Sequence, residues 1–373
     1  MDYYKKYTSN TVAACGVQSF FLMDPCEVRT SRTFYKISCG GKYNYSFLFS
    51  NNVDTTYSDG SFSVCNTVCN GWHLIEALVG VCSCDAIGEE ISSPESAKKA
   101  NESVFEMKHL SFNGAMSKKC TAGEIFCSDE ISLDIKSGDY LCIQLSFTGN
   151  MFPYFEETLL PTYLKQNGKW VYSNKTPVVS MVGCDRAVKK RIAFLGDSIT
   201  QGIGAGFNSY KNYCAVLSEK LGSVYAYHNL GIGFARANDA ASNGFWLSKA
   251  KNNDIVFLCL GANDILQQKS AKGLKADLSF VVSELKKNGI KIILQTVPPF
   301  DYEGEALDKW IDVNTFIKNE LSKKADFFFD NVKVLGKSAR EPQIAIFGGH
   351  PNAEGCARWA EALYAALPPE LLE

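Results

Sequence analysis

Arg191-Ile-Ala-Phe-Leu-Gly-Asp-Ser-Ile-Thr200 decides how this chain is read. Its apolar run stops abruptly at Gly196-Asp197-Ser198, and a Gly-rich stretch follows, Gln201-Gly-Ile-Gly-Ala-Gly206. A short buried strand that ends at a Gly presents the next side chains at its carboxyl end, where open α/β sheets place their ligands. That exposes the Ser198 hydroxyl, and the glycines let a substrate approach the backbone closely. Taken alone, the same residues also describe a plain strand-to-helix turn with Ser198 as helix N-cap. The rest of the chain separates the two readings.

From Arg191 onward strands and helices alternate. Apolar strands are expected at 191–195, 228–232, 254–260 and 290–297, and helical patterns near 209–221, 236–250, 272–288, 308–324 and 353–366. That alternation implies a parallel sheet with helices on both faces, an α/β fold. Residues 1–150 follow another grammar. Tyr43-Asn-Tyr-Ser-Phe-Leu-Phe-Ser50, Trp72-His-Leu-Ile-Glu-Ala-Leu-Val79 and Tyr140-Leu-Cys-Ile-Gln-Leu-Ser-Phe147 are short, aromatic or β-branched, and partly alternating. Turn clusters separate them, and Phe112-Asn-Gly114 reads as a tight turn. Many short strands of this kind imply an all-β sandwich or jelly roll. Between the halves, Met151-Phe-Pro-Tyr-Phe-Glu-Glu157, Leu160-Pro161 and Lys169-Trp-Val-Tyr172 are irregular and rich in Pro and aromatics. The expected layout is a β domain over 1–150, a connecting segment over 151–187 lying against the second domain, and an α/β domain over 188–373. A length of 373 residues fits two domains.

Composition excludes several classes of function. A formal net charge of −2 gives no basic footprint for nucleic acid or an anionic membrane. No apolar run approaches the roughly 18–20 residues that cross a bilayer. The segment Met1-Asp-Tyr-Tyr-Lys-Lys-Tyr7 lacks the apolar core of a signal peptide, so the expected location is cytoplasmic. Fourteen cysteines would imply disulfides only in an exported protein. Cys65/Cys69 and Cys82/Cys84 are not spaced as Cys-x2-Cys metal ligands, and most others lie singly in apolar runs. Reduced, buried thiols are expected, with no metal and no cofactor.

Four polar segments of the second half end strands or open loops. They are Gly196-Asp197-Ser198, Asn229-Leu-Gly-Ile-Gly-Phe-Ala-Arg236, Gly261-Ala-Asn-Asp264 after the most apolar strand, and Gly348-Gly-His-Pro-Asn-Ala-Glu-Gly355 before the last helix. In this order on an α/β pattern, residues from about 190 to 366 resemble the SGNH (GDSL) hydrolase superfamily. Phe47-Leu-Phe-Ser-Asn51, Leu110-Ser-Phe-Asn-Gly114 and Ile131-Ser-Leu-Asp-Ile-Lys-Ser-Gly-Asp139 look like the N-terminal β domain of some two-domain carbohydrate esterases in it. The resemblance implies an α/β/α hydrolase domain behind a β domain.

It also implies roles. Ser198 would be the nucleophile and His350 the base that a serine hydroxyl requires. His73, His109 and His228 do not occupy that position. The oxyanion would be held by the Ser198 N–H, a backbone N–H at Gly233 or Phe234, and the Asn263 amide. Phe234 stands where the family pattern has Gly. Asp197 and Arg236, together with Tyr154 and Phe155 of the connecting segment, are candidates for contacting substrate. Asp264 reads as a helix N-cap. The family's acid, three residues before the His, is replaced by Phe347. A backbone carbonyl of the Ile346–Gly348 turn, or Glu341 or Asp330, would then orient the imidazole. The carbonyl is preferred, giving a Ser198–His350 dyad.

A Rossmann nucleotide site is excluded by placement, because Gly-Asp-Ser precedes Gly202-Ile-Gly-Ala-Gly206 where the fingerprint should directly follow the strand. An inactive carbohydrate-binding protein, with aromatic platforms such as Trp72, is the alternative from another class. Lipases, thioesterases and acyltransferases would use the same acyl-enzyme. Residues 190–366 contain no extended amphipathic insertion to cover a long chain, which favours a small acyl group. By fold-level analogy the β domain turns the alcohol side toward a sugar. The expected activity is hydrolysis of acetyl or other short acyl esters on a small-molecule or oligosaccharide substrate, without nucleic-acid or membrane partners. Oligomeric state is left open.

Overall fold

The computed structural model describes the chain apart from residues 1, 2, 23, 56–64, 89, 157–159, 178, 301, 337–344, 347 and 348. At 21, 22, 105, 156, 345 and 346 it describes the backbone. The chain divides into two compact units: Met1–Asp54, Thr67–Ala187 and Phe207–Ser209 form the first, and Thr55–Asn66, Val188–Gly206 and Tyr210–Glu373 the second.

The first unit is rich in antiparallel strands. One sheet runs Lys169–Tyr172, Thr162–Gln166, Arg29–Lys36, Tyr140–Gly149, Trp72–Cys82, Phe105–His109, with Lys118–Cys120 also on Trp72–Cys82. Another centres on Gly41–Ser50, which pairs with Met181–Cys184, Ile125–Cys127 and Ile131–Ile135. Buried and partly exposed positions largely alternate along Trp72–Cys82, the period-2 signature of a strand with one face on a core. That core is aromatic: Phe49 stacks on Phe126 at 5.1 Å, and Phe152 meets Trp72 at 4.5 Å and Phe147 at 3.8 Å. Phe112–Gly114 is the tight turn expected, closed by reciprocal Phe112 and Ala115 bonds with Asn113 at φ 51 and Gly114 at φ 81.

Three expectations for this half need correction. Residues 151–187 are not a connecting segment: Met151–Glu156 pairs with Ser19–Leu22 and Lys175–Pro177, and Thr162–Gln166 pairs with the Arg29–Lys36 strand. Tyr154 and Phe155 are buried within these strands instead of standing on a loop. Trp72 is no exposed platform either; it is buried, and its Nε1 donates to Asn51 Oδ1 at 2.7 Å. A helix, Pro94–Glu102, also interrupts the β grammar, with Ser93 as N-cap and Pro94 in its first turn.

The second unit carries a five-stranded parallel sheet in the order Ala226–Asn229, Arg191–Gly196, Ile255–Cys259, Lys291–Gln295, Phe327–Phe329. Three of its strands match the sequence expectation in position; the one expected at 228–232 lies earlier, at Ala226–Asn229, and the sequence pattern does not show Phe327–Phe329. The strand order reverses at Arg191–Gly196, because chain neighbours lie on both its sides. The carboxyl end of that strand is therefore the topological switch point, where α/β sheets open a crevice. Helix Ala353–Ala366 packs on Tyr213–Leu221, and Ala271–Lys287 on Ala237–Ala241. The helix expected over 236–250 is two helices, Ala237–Ala241 and Phe245–Ala250, broken where Asn243 takes φ 58. Asn66 secures the second of these, its Oδ1 accepting the Phe245 N–H at 3.0 Å. No helix among the described residues is long and apolar enough to cross a membrane.

Candidate active site

Gly196 must be glycine: a Cβ there would stand 1.9 Å from Thr200 Oγ1 and 2.8 Å from the Cys259 carbonyl oxygen. The chain can therefore turn tightly from the strand into the short helix Ser198–Gln201. Asp197, not Ser198, is its N-cap, with Oδ1 accepting the Ile199 N–H at 3.0 Å. Ser198 begins the helix half-buried, and its Oγ lies 2.8 Å from Nε2 of His350.

His350 reaches this position from the far end of the chain. His350–Pro351 pairs antiparallel with Ala345–Ile346, and Gly349, just before His350, sits at φ 84. The Gly-rich stretch after Ser198 makes room for it. Gly204 sits at φ 95, and a Cβ there would be 2.7 Å from the Pro351 carbonyl oxygen and 3.0 Å from His350 Cβ. Phe300, from the loop after Lys291–Gln295, meets the imidazole edge to face at 5.1 Å. Sequence reasoning missed Phe300; its only signal was the Pro298-Pro299-Phe300 run after a strand.

The second block is fastened to the first. Leu230 and Ile232 donate to the carbonyls of Phe194 and Gly196 at 2.8 and 3.1 Å. Asn229 Nδ2 donates to the Thr200 carbonyl at 3.0 Å, while its Oδ1 accepts the Gly231 N–H at 2.8 Å. A Cβ on Gly231 would fall 2.1 Å from the Gln201 nitrogen, so this loop touches the Ser198–Gln201 helix backbone to backbone. The Ala235 N–H then closes a turn onto the Ile232 carbonyl at 3.2 Å, with Gly233 and Phe234 at its corners. Phe234 adopts φ 61, a left-handed conformation that a glycine would take freely.

The third block clamps that turn. Gly261, at φ 129, caps the helix Ala262–Leu266, and Asn263 Nδ2 donates to the Ala235 carbonyl at 2.9 Å. Asp264 is not the N-cap of its own helix: its Oδ2 accepts the Ala237 N–H at 2.8 Å and so secures the start of the neighbouring helix.

Residues 194–358 match the model of the GDSL-like lipase/acylhydrolase family. The C-terminal half of the chain is a GDSL-like domain. A relative described as acetylxylan esterase, from Xylanibacter ruminicola, is 26% identical over 252 residues, covering 59% of this chain and 49% of that protein. The chain thus spans about half the length of that relative. Among solved structures, a G-D-S-L family lipolytic protein from Desulfitobacterium hafniense is 19% identical with TM-score 0.41, over 48% of this chain and 99% of that one. A carbohydrate acetylesterase family member from Sinorhizobium meliloti is 17% identical with TM-score 0.41, over 49% and 99%.

Within the GDSL-like domain, Ser198, Gly233, Phe234, Asn263 and His350 belong to segments that the structure ties together. Two other expected site residues are occupied structurally. Asp197 is buried under the helix it caps; burial pushes its carboxyl up to about 7, with Asp264 adding and the Ile199 N–H opposing. Arg236 forks onto Asp239, with Nη2 to Oδ1 at 2.8 Å, and reaches Gln267 Oε1 at 3.2 Å. Asp330, one possible orienting acid, pairs with Lys318 at 2.9 Å and accepts from Thr296 at 3.3 Å. Glu341, Phe347 and Gly348 lie outside the described residues. Among the described residues no group of three or more His, Cys, Asp or Glu side chains could hold a metal ion. A serine hydroxyl within hydrogen-bond reach of an imidazole, beside a turn and an amide that can donate, is chemistry suited to acyl transfer.

Proposed function

We propose that this protein is a serine esterase that removes acetyl or another short acyl group from a carbohydrate. The 2.8 Å approach of Ser198 Oγ to His350 Nε2 carries this reading. Ser198 attacks the ester carbonyl while its proton passes to His350 Nε2, and the carbonyl oxygen becomes an oxyanion. The Ser198 N–H, an N–H of the Gly233–Phe234 turn and the Asn263 amide stabilise it. His350 then returns the proton to the departing sugar oxygen, and water repeats the sequence to free the acid. In this reading a backbone carbonyl, not a carboxylate, orients the imidazole, making the pair a dyad. In support, Asp330 is engaged by Lys318 and Thr296.

The sugar side of the proposal draws on the relative described as acetylxylan esterase. We read the N-terminal unit as a jelly-roll sandwich, on the strength of its antiparallel sheets and alternating burial. A cytoplasmic location fits its fourteen cysteines, all thiols.

The test is turnover of p-nitrophenyl acetate by the wild type and by Ser198→Ala, followed by acetate release from acetylated mono- and oligosaccharides. A folded wild type that hydrolyses no ester, or activity that survives Ser198→Ala, rejects the proposal. Activity on p-nitrophenyl acetate but on no acetylated sugar rejects its carbohydrate half.

A further inference from the structure

A second connection between the Ser198 and His350 segments runs through the core of the GDSL-like domain. Thr200 lies two residues after Ser198, and Tyr213 opens the helix Tyr213–Leu221. Both are fully buried, and their hydroxyls share a hydrogen bond of 3.0 Å. The next residue of that helix adds a hold, the Cys214 thiol donating to the Thr200 carbonyl at 3.4 Å. The Tyr213 ring stacks on Trp359, with centroids 4.1 Å apart and planes 11° from parallel, and meets Phe194 edge to face at 6.1 Å. Trp359 is fixed in turn by its Nε1 bond to Gln295 Oε1 at 2.9 Å. It belongs to the helix Ala353–Ala366, whose N-cap Asn352 stands two residues after His350. One turn before Trp359, the Cys356 thiol donates to the Pro351 carbonyl at 3.6 Å and fastens the residue after His350 to this helix. A single side chain thus serves both segments, its hydroxyl holding the one that opens with Ser198 and its ring the helix entered from His350.

We propose that Tyr213 is a positioning residue: it ties the serine segment to the histidine helix and so sets the distance between the Ser198 and His350 side chains. Close-packed interiors transmit a displacement instead of absorbing it. Loosening the Thr200 bond therefore lets the short helix Ser198–Gln201 shift against the His350 segment. The contact at stake is 2.8 Å long, and a misplacement of about 1 Å breaks such a bond and costs about 10²-fold in rate. Only the kinetic part of the proposal rests on the esterase reading.

Tyr213→Phe deletes the hydroxyl and keeps the stack on Trp359. It should lower kcat on p-nitrophenyl acetate by about tenfold or more, with KM within about twofold. In its crystal structure Ser198 Oγ and His350 Nε2 should stand more than about 3.5 Å apart, beyond hydrogen-bond reach. Thr200→Ala deletes the same bond from its other end, and the double variant should lose no more kcat than the larger single loss. Tyr227→Phe is the control: it removes a buried hydroxyl that bonds the Gly222 carbonyl at 2.6 Å, at the far end of the same helix, and should leave kcat unchanged. Equal kcat values in Tyr213→Phe and Tyr227→Phe make Tyr213 a packing residue and overturn the proposal. So does a Tyr213→Phe structure that keeps the contact to His350, or kcat losses that add in the double variant. If the wild type turns over no ester, the esterase reading fails by itself, and the crystal structures still decide whether Tyr213 sets the distance.

Discussion

Ser198 Oγ and His350 Nε2 stand 2.8 Å apart, although 152 residues of chain separate them. The two are held from different directions. Ser198 is set by the Asp197 cap and the cramped turn at Gly196, and His350 by its close seat on Gly204 and the Phe300 ring. In the proposed reaction, a hydroxyl and an imidazole fixed this way need little reorganisation before the proton moves.

Removing either partner should end catalysis without unfolding the chain. Ser198→Ala and His350→Ala are each expected to lower kcat on p-nitrophenyl acetate by about 10³-fold or more, with Tm within a few degrees of wild type. Ser198→Ala keeps the helix cap, because Asp197 supplies it. Asp330→Asn should keep most activity, its carboxyl being engaged by Lys318. A hundredfold loss of kcat in Asp330→Asn would replace the dyad with a triad.

Asn263→Ala should lower kcat by roughly 10²–10³ with KM little changed. Asn263→Asp should be no better, because a carboxylate cannot donate to the Ala235 carbonyl as the amide does at 2.9 Å. Steady-state kinetics check this. A change confined to KM would show that Asn263 only holds ground-state substrate.

Stability should depend on pH through Asp197. Its folded carboxyl is held up to about 7, whereas in the unfolded chain it ionises near the ordinary value of about 4. Between those values the folded chain keeps a proton that the unfolded chain has lost. This group's contribution is therefore greatest below about pH 4 and falls as pH rises to about 7, by at most about 1.4 kcal/mol per pH unit. Asp197→Asn keeps an oxygen for the Ile199 N–H and cannot ionise. Its Tm should match wild type near pH 4 and exceed it near pH 8; an equal offset at both would refute the assignment.

Two positions at and just before the Ile232–Ala235 turn should respond differently. Gly231→Ala drives a Cβ into the Gln201 backbone, so it should cost about 1–3 kcal/mol and reduce kcat by displacing the turn. Phe234→Gly relieves a left-handed conformation at the cost of unfolded-state entropy, leaving stability within about 1 kcal/mol of wild type. Phe234→Val should be clearly worse than Phe234→Gly, since β-branched residues resist positive φ. Chemical denaturation of the three variants checks the order.

Much of the second unit was legible because its signals are local. An apolar run closed by Gly-Asp-Ser, another closed by Gly-Ala-Asn-Asp, and a His-Pro-Asn before an amphipathic helix each fix a strand end or helix start by short-range sterics and capping. The helix Ala353–Ala366 needed nothing beyond its own pattern and the Asn352 cap. The three-residue strand Phe327–Phe329 was not legible, because so short a run carries no period.

The sequence alone determined the chemical kit, namely a serine at a strand end, a late histidine and an amide after the most apolar strand. Tertiary structure decided what long-range pairing decides. Residues 151–187 became strands because their hydrogen-bond partners, such as Ser19–Leu22 and Arg29–Lys36, lie more than a hundred residues away. Asp264 secures the start of a helix other than its own, because burial and contact depend on where distant segments meet. Local periodicity reports how a segment folds; only packing reports which polar groups are left facing one another.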